Sequence, residues 1–325
     1  MTRLRLVRLA AVLAVASGTL LSSGVAGAQV GPGCDGTVYD PADPDHVLYG
    51  RSAGTMHVDL TGRTPVGDGF VVFWDGRFVS GAKGAVIIGS SYRDLICGTT
   101  GDDWVWGKRG GDTILGFGSE SDYDRSIGGG RALGDHLFGG RGNDVISNGD
   151  GIGLSALSSA AALVGGGRGN DTLYLGDGSS GTPWARGGVG DDKLMGGLGG
   201  SGHTLAGGAG SDSIDLWGLD GSSGYGNGGD DHLTSQWGDT NVLHGDNGDD
   251  SLEAGWGSNL RLDGGAGNDT LKASTGANTV LLGGPGDDVM SNVGAGIGQV
   301  ADGGTGEDTV HRSRYPAVPE PGTGR

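Results

Sequence analysis

The chain is short of almost everything from which a conventional core or active site is built. Only two of its 325 residues are cysteines, Cys34 and Cys97, too few for a disulfide framework or a thiolate zinc centre. Aromatic residues make up 6% and hydrophobic residues 35%, which limits the apolar area available for burial. Positive charge is scarce as well. Lys and Arg number 21 against 39 Asp and Glu, a formal charge of -18. That sign disfavours nucleic acid and anionic membrane as partners and favours cations. HExxH does not occur, so metalloprotease chemistry lacks its residues. GxSxG occurs once, as Gly50-Arg51-Ser52-Ala53-Gly54, and a lone motif does not make a nucleophile elbow. The seven His are scattered and form no zinc-type cluster.

What is abundant is glycine, 76 residues, over three times the usual share. Ordering so much glycine costs backbone entropy that a thin core cannot offset. Either the chain stays disordered or something besides a core holds it. Residues 1–28 read as a Sec-type signal peptide: Arg3, Arg5 and Arg8, then an apolar Leu9–Leu21 stretch, then Ala26-Gly27-Ala28. That stretch is short for a membrane span and no second one follows. The expected location is therefore secreted, extracellular and oxidising, where one Cys34–Cys97 disulfide fits. Two free buried thiols are the alternative.

Residues 29–88 are expected to form a small β-rich N-terminal cap. Phe70–Trp74 and Arg77–Val79 flank Asp75-Gly76, the pattern of a β-hairpin. An independent ligand-binding domain is the other reading of this stretch. From Gly89 a nine-residue unit recurs. GSSYRDLIC, GTTGDDWVW and GKRGGDTIL run head to tail from Gly89, Gly98 and Gly107, and GRALGDHLF begins at Gly130. Purer copies start at Gly139, Gly166, Gly187, Gly207, Gly226, Gly245, Gly264, Gly283 and Gly303. In all thirteen the sixth residue is Asp and the eighth is apolar, a phase that a merely Gly- and Asp-rich disordered chain would not keep. From 187 on the starts are 19 or 20 residues apart, and Leu243, Leu262, Leu281 and Val300 recur at 19 between them. One turn thus holds two short strands, one after an Asp loop and one after a neutral Gly/Asn loop.

Glycines at positions one, two and four allow positive-φ turns that aim carbonyls at one point. Carbonyls plus a carboxylate make an all-oxygen cage, the kind that suits Ca²⁺. A column of Asp one strand spacing apart would repel by roughly 3–4 kcal/mol per neighbour pair at an effective dielectric near 20. A cation is required. The unit resembles the hemolysin-type calcium-binding repeat of the RTX family, GGxGxDxUx with U apolar, over roughly Gly89–His311. It is also similar to secreted actinobacterial calcium-binding proteins made of little else. The resemblance implies an all-β fold: a parallel β-roll solenoid of RTX nonapeptide repeats over 89–311, with multiple Ca²⁺ held between loops of successive turns. It implies as metal ligands Asp144, Asp171, Asp192, Asp212, Asp231, Asp250, Asp269, Asp288 and Asp308. Asp94, Asp103, Asp112 and Asp135 match in less regular units. Members of the family usually leave by a type I exporter with a C-terminal signal, whereas this chain carries an N-terminal one.

The reading is therefore a calcium-binding repeat protein that folds on Ca²⁺ and is not an enzyme. Residues 312–325 are expected to be a disordered tail. Acidic loops that serve only solubility are the bland alternative for the Asp column. Trp217, Trp237 and Trp256, 20 and 19 residues apart, form an aromatic ladder that either packs on itself or presents a glycan platform. A calcium-stiffened adhesive module with an extracellular glycan or cell-surface partner is thus the second reading. A polysaccharide-acting β-helix enzyme is the third.

Overall fold

A computed structural model describes residues 44, 46–49, 56–66, 70–74, 85–98, 103–116, 135–148, 162–175, 182–197, 200–273, 276–293 and 298–312. The expected signal peptide, Cys34, the expected Arg77–Val79 strand and residues 313–325 lie outside them. No helix among the described residues is long and apolar enough to cross a membrane.

The chain winds into a two-sheet parallel β-solenoid. A representative turn has a six-residue strand, Arg261–Ala266, a tight loop and a three-residue strand, Thr270–Lys272. A second loop then leads to the next long strand, Val280–Pro285. The short strands stack into a 13-stranded sheet and the long ones into a 12-stranded sheet. Every pairing is parallel, because each turn adds its strand beside the equivalent strand of the turn before.

The eighth-position apolar residue explains the short strands. Leu233, Leu252 and Leu271 face one another in register and are at most 1% exposed. Leu243, Leu262 and Leu281 do the same on the long strands. With two such columns meeting between the sheets, each turn buries its apolar side chains against its neighbours and has no core of its own. Cys97 is buried and disulfide-bonded.

Three expectations change. The first is the separate cap. His46–Tyr49 and Val71–Trp74 belong to the 13-stranded sheet, and Met56–Asp59 and Ala85–Ile88 to the 12-stranded one. The described strands within 29–88 are therefore coils of the same stack, with Val72 and Ile87 in the inward columns. The second is the hairpin. Val71–Trp74 has His46–Tyr49 on one side and Leu95–Cys97 on the other, both parallel, which leaves no side for an antiparallel partner. The third is Val300. It pairs with Val280 and is 54% exposed, whereas Ala301 pairs with Leu281. The last spacing, from Gly283 to Gly303, is 20 residues, and the extra residue shifts the register by one. A one-residue slip exchanges the two faces of a strand.

Candidate metal centre

All sixth-position Asp but Asp103 and Asp135 stand where the tight loop enters a short strand, with the side chain pointing inward. Asp250, Asp269 and Asp288 are at most 2% exposed. Eleven of the thirteen form a single file along one edge of the stack: Asp94, Asp112, Asp144, Asp171, Asp192, Asp212, Asp231, Asp250, Asp269, Asp288 and Asp308. Each carboxylate reaches back one turn, where its Oδ1 accepts the backbone N–H of the preceding Asp at 2.7–3.1 Å. The file is thus a hydrogen-bonded ladder in which each Asp is donor through its backbone and acceptor through its side chain.

The second carboxylate oxygen is another matter. Oδ2 of Asp112, Asp144, Asp171, Asp192, Asp212, Asp231, Asp250, Asp269 and Asp288 is buried with no hydrogen-bond partner. Isolated burial of a carboxylate oxygen is expensive, and native structures compensate it with a partner or a metal. Asp94, at the start of the file, is the exception. Its Oδ2 accepts the Ser90 N–H at 2.7 Å, and its Oδ1 accepts from the Phe70 N–H and the Ser90 hydroxyl. Asp308, in the last described turn, is only half-buried.

Asp103 and Asp135 lie on the opposite edge. Asp103 Oδ1 accepts the Ala85 N–H at 2.7 Å, and Asp135 Oδ1 the Asp103 N–H at 3.0 Å. Asp135 Oδ2 lies against Gly116, which takes the part expected of Gly130; Gly130 is outside the described residues. The head-to-tail units from Gly89, Gly98 and Gly107 therefore serve alternating edges. Beyond Asp135 the same positions are neutral: Ala162, Pro183, His203, Ser222, Asn241, Leu260 and Thr279. There the His203 N–H donates to Ser222 Oγ at 3.0 Å and the Ser222 N–H to Asn241 Oδ1 at 2.8 Å. Burial lowers the His203 imidazole to about 4, so it is neutral at ordinary pH. This edge closes on itself.

The glycines divide their work differently from the expectation. Positions two and four do carry positive φ, as at Gly140 (118°) and Gly142 (129°). Lys108, Asn227 and Asp246 hold the second position in a left-handed conformation without glycine. Position one has no positive φ among the described residues; it is glycine for room. A Cβ on Gly264 would overlap Asp269 Oδ2 and crowd the carbonyl oxygen of Gly283 in the next turn. Gly226, Gly245 and Gly283 repeat that arrangement. The carboxylate and a neighbouring turn's carbonyl thus converge on space that only glycine leaves open. Among the described residues no three His, Cys, Asp or Glu side chains gather at one point, so carbonyls must supply the rest of any cation cage. An all-oxygen donor set of this kind fits Ca²⁺ and not zinc.

The fifth position was missed as a structural element. The Asp191 N–H donates to Asn170 Oδ1, Asn268 to Asp249 Oδ1, and Asp287 to Asn268 Oδ1, at 2.7–3.1 Å. This exposed outer ladder runs in the opposite sense to the inner one. Its signal was present: from Gly139 on, the fifth residue is Asn, Asp, Ser or Glu in every copy.

A family model of the RTX calcium-binding nonapeptide repeat matches four stretches, residues 81–116, 132–154, 166–179 and 263–291. The chain carries RTX calcium-binding repeats. Between the last two matched stretches, the RTX ladder continues unbroken through Asp192, Asp212, Asp231 and Asp250. No curated protein matches the chain.

Two outcomes follow from the RTX ladder. Gly264→Ala should destabilise the calcium-loaded stack by about 1–3 kcal/mol in denaturant titrations, as overpacking does. Gly228→Ala, where the nearest atom to the added Cβ is 3.8 Å away, should be close to neutral. The second outcome concerns pH. Burial, opposed by the ladder hydrogen bond, raises Asp112 to about 8, Asp171, Asp192, Asp231 and Asp269 to about 7, and Asp144, Asp212 and Asp250 to about 6. These carboxyls hold protons more tightly in the stack than in the unfolded chain, where they titrate near 3.8. Without cations, the resulting stabilisation is full below about pH 4 and is lost as pH rises through 6 to 8. In chelator the thermal midpoint should fall from pH 5 to pH 8; equal midpoints would exclude these carboxylates as the titrating set.

Proposed function

We propose that this chain is a secreted protein whose β-roll folds as calcium enters between its turns, and that it has no catalytic role. The observation that supports this reading is the file of buried Asp Oδ2 atoms without partners. Asp112, Asp144, Asp171, Asp192, Asp212, Asp231, Asp250, Asp269 and Asp288 would hold the ions on one edge, with Asp308 closing the file. Asp103 and Asp135 would form a short second row on the other edge. Asp94, already satisfied by Ser90 and Phe70, would contribute least.

Bound Ca²⁺ would supply the positive charge that lets neighbouring carboxylates ionise together. The chain supplies the rest. Its ladder orients each carboxylate, its first-position glycine leaves the space, and its loop carbonyls provide neutral oxygens. Because a site spans two turns, binding and stacking are one event, and binding energy becomes folding energy. A folding switch of this kind suits export, since calcium is scarce inside cells and plentiful outside. Extracellular calcium sites of this kind bind at about 10⁻⁴–10⁻³ M.

The Trp ladder does not favour the adhesive reading. Trp237 and Trp256 stack on each other, centroids 5.9 Å apart at 12°, and Trp217 takes no part in that stack. The two faces turned on one another are not open to a sugar, which leaves single exposed rings in place of a continuous ladder.

Circular dichroism of chelated protein should gain β signal cooperatively as Ca²⁺ is added, with Mg²⁺ a poor substitute. Asp269→Asn is the sharper variant: it removes the charge while leaving Oδ1 able to accept the Asp250 N–H (2.8 Å in the wild type). It should lower bound calcium by one to about two ions and raise the midpoint. Unchanged stoichiometry by calorimetry would remove the Asp file as the site. For export, mass spectrometry of secreted protein should find a mature N terminus near Gln29; a retained leader would count against it.

A further inference from the structure

On the outer face of the 12-stranded sheet, reaching the main Asp edge at Ser90, Gly166 and Gly187, lies an open groove of about 1070 Å³. Trp106, Phe138 and Trp184 line it together with Lys108 and four arginines, Arg109, Arg141, Arg168 and Arg186. Five of the chain's 21 basic residues are thus gathered in one groove, and among the described residues no acidic side chain lines it. Glycines 140, 165, 167 and 188 also line it, leaving backbone uncovered by side chains.

The arginines are arranged against their own interest. Arg109, Arg141 and Arg168 sit on three neighbouring strands in direct register, about one strand spacing (roughly 4.8 Å) apart. Like charges directly opposite one another on a sheet are destabilising. In later turns the sheets answer such charges with acids: Lys272 pairs with Glu253, and Arg261 with Asp263, each at 2.7 Å. Lys108 has Asp59 within electrostatic reach. Among the described residues no such partner answers Arg109, Arg141, Arg168 or Arg186.

We infer that this groove is a binding site for a linear, carboxylate-bearing polysaccharide lying along the stack axis. A row of guanidiniums at one-strand intervals matches a polymer with one carboxylate per sugar, and each can take a carboxylate bidentately. The bare glycine backbone leaves room for a pyranose ring to approach closely. Single-stranded nucleic acid, the other polyanion such a groove could attract, needs open ring faces for its bases. Here Trp106 stacks on Phe138 at 6.2 Å and 19°, and Trp104 on His136 at 4.0 Å and 3°, so those faces are turned on one another. The site borders the calcium file at Gly166 and Gly187 and rests on the calcium reading through the fold.

The test uses the full chain with free calcium buffered at saturation and the fold checked by circular dichroism in every sample. Calorimetry would compare a hexamer of (1→4)-linked galacturonate, its fully methyl-esterified form and a thymidine dodecanucleotide. The hexamer should bind, weakening as salt rises, and both other probes should bind at least about tenfold less tightly. The double variant Arg141→Gln/Arg168→Gln should lose at least about tenfold in affinity. Arg261→Gln/Lys272→Gln, which removes the same net charge elsewhere, should lose about twofold or less. If the first double variant loses its β signal, Arg186→Gln is the substitute, with a loss of about fivefold expected. No binding by the hexamer, equal binding by the ester, tighter binding by the oligonucleotide or equal loss in the control variant would each overturn the proposal. Loss of β signal in wild-type protein would indict the calcium reading instead.

Discussion

The structure depends on a carboxylate that is half satisfied. One oxygen of each inner Asp is spent on the backbone of the preceding turn, which fixes the side chain inside the loop. The other is buried with nothing to accept from. At the spacing of adjacent strands, a run of ionised groups in that state repels itself and forgoes solvation. The raised proton affinity of Asp112 through Asp269 is the chain's own answer when no other cation is present. A divalent ion answers it better, and the dependence of the fold on its ions follows from that comparison.

The rest of the turn is shaped around this group. Position one is glycine because a carboxylate occupies the place of its Cβ, and position four because a left-handed turn is needed. The eighth residue is apolar because it is the first short-strand side chain to face the core. The outer Asn/Asp ladder at position five adds hydrogen bonds where water already competes, so it tolerates Ser and Glu. The inner ladder tolerates no substitute.

The two edges and the open face have been given separate tasks. The edge opposite the main file begins with two Asp and then passes to Ser222, Asn241 and neutral His203, which satisfy one another without ions. The early turns of the 12-stranded sheet carry clustered cations and rings, whereas a later one pairs Arg261 with Asp263 along one strand, and the 13-stranded sheet pairs Lys272 with Glu253 across strands. In a solenoid, such variation costs little, because a turn contacts only its neighbours and outward positions are free of the core.

Much of this was legible in the residues. The nine-residue phase gives the parallel stack, the inward apolar columns and the identity of the inner Asp, because a repeat must meet the same neighbours in every turn. The coils before Gly89 were not legible as coils, since Phe70–Trp74 lacks a preceding GGxGxD and reads equally well as half of a hairpin. Only stacking against His46–Tyr49 and Leu95–Cys97 decides between them. The edge on which Asp103 and Asp135 fall, the register that exposes Val300 and the exception of Asp94 are likewise tertiary. So is the row formed by Arg109, Arg141 and Arg168, residues 27 to 32 positions apart in sequence. Sequence determines what each turn is made of; which turns lie side by side depends on the lengths of the excursions between them, and those follow no period.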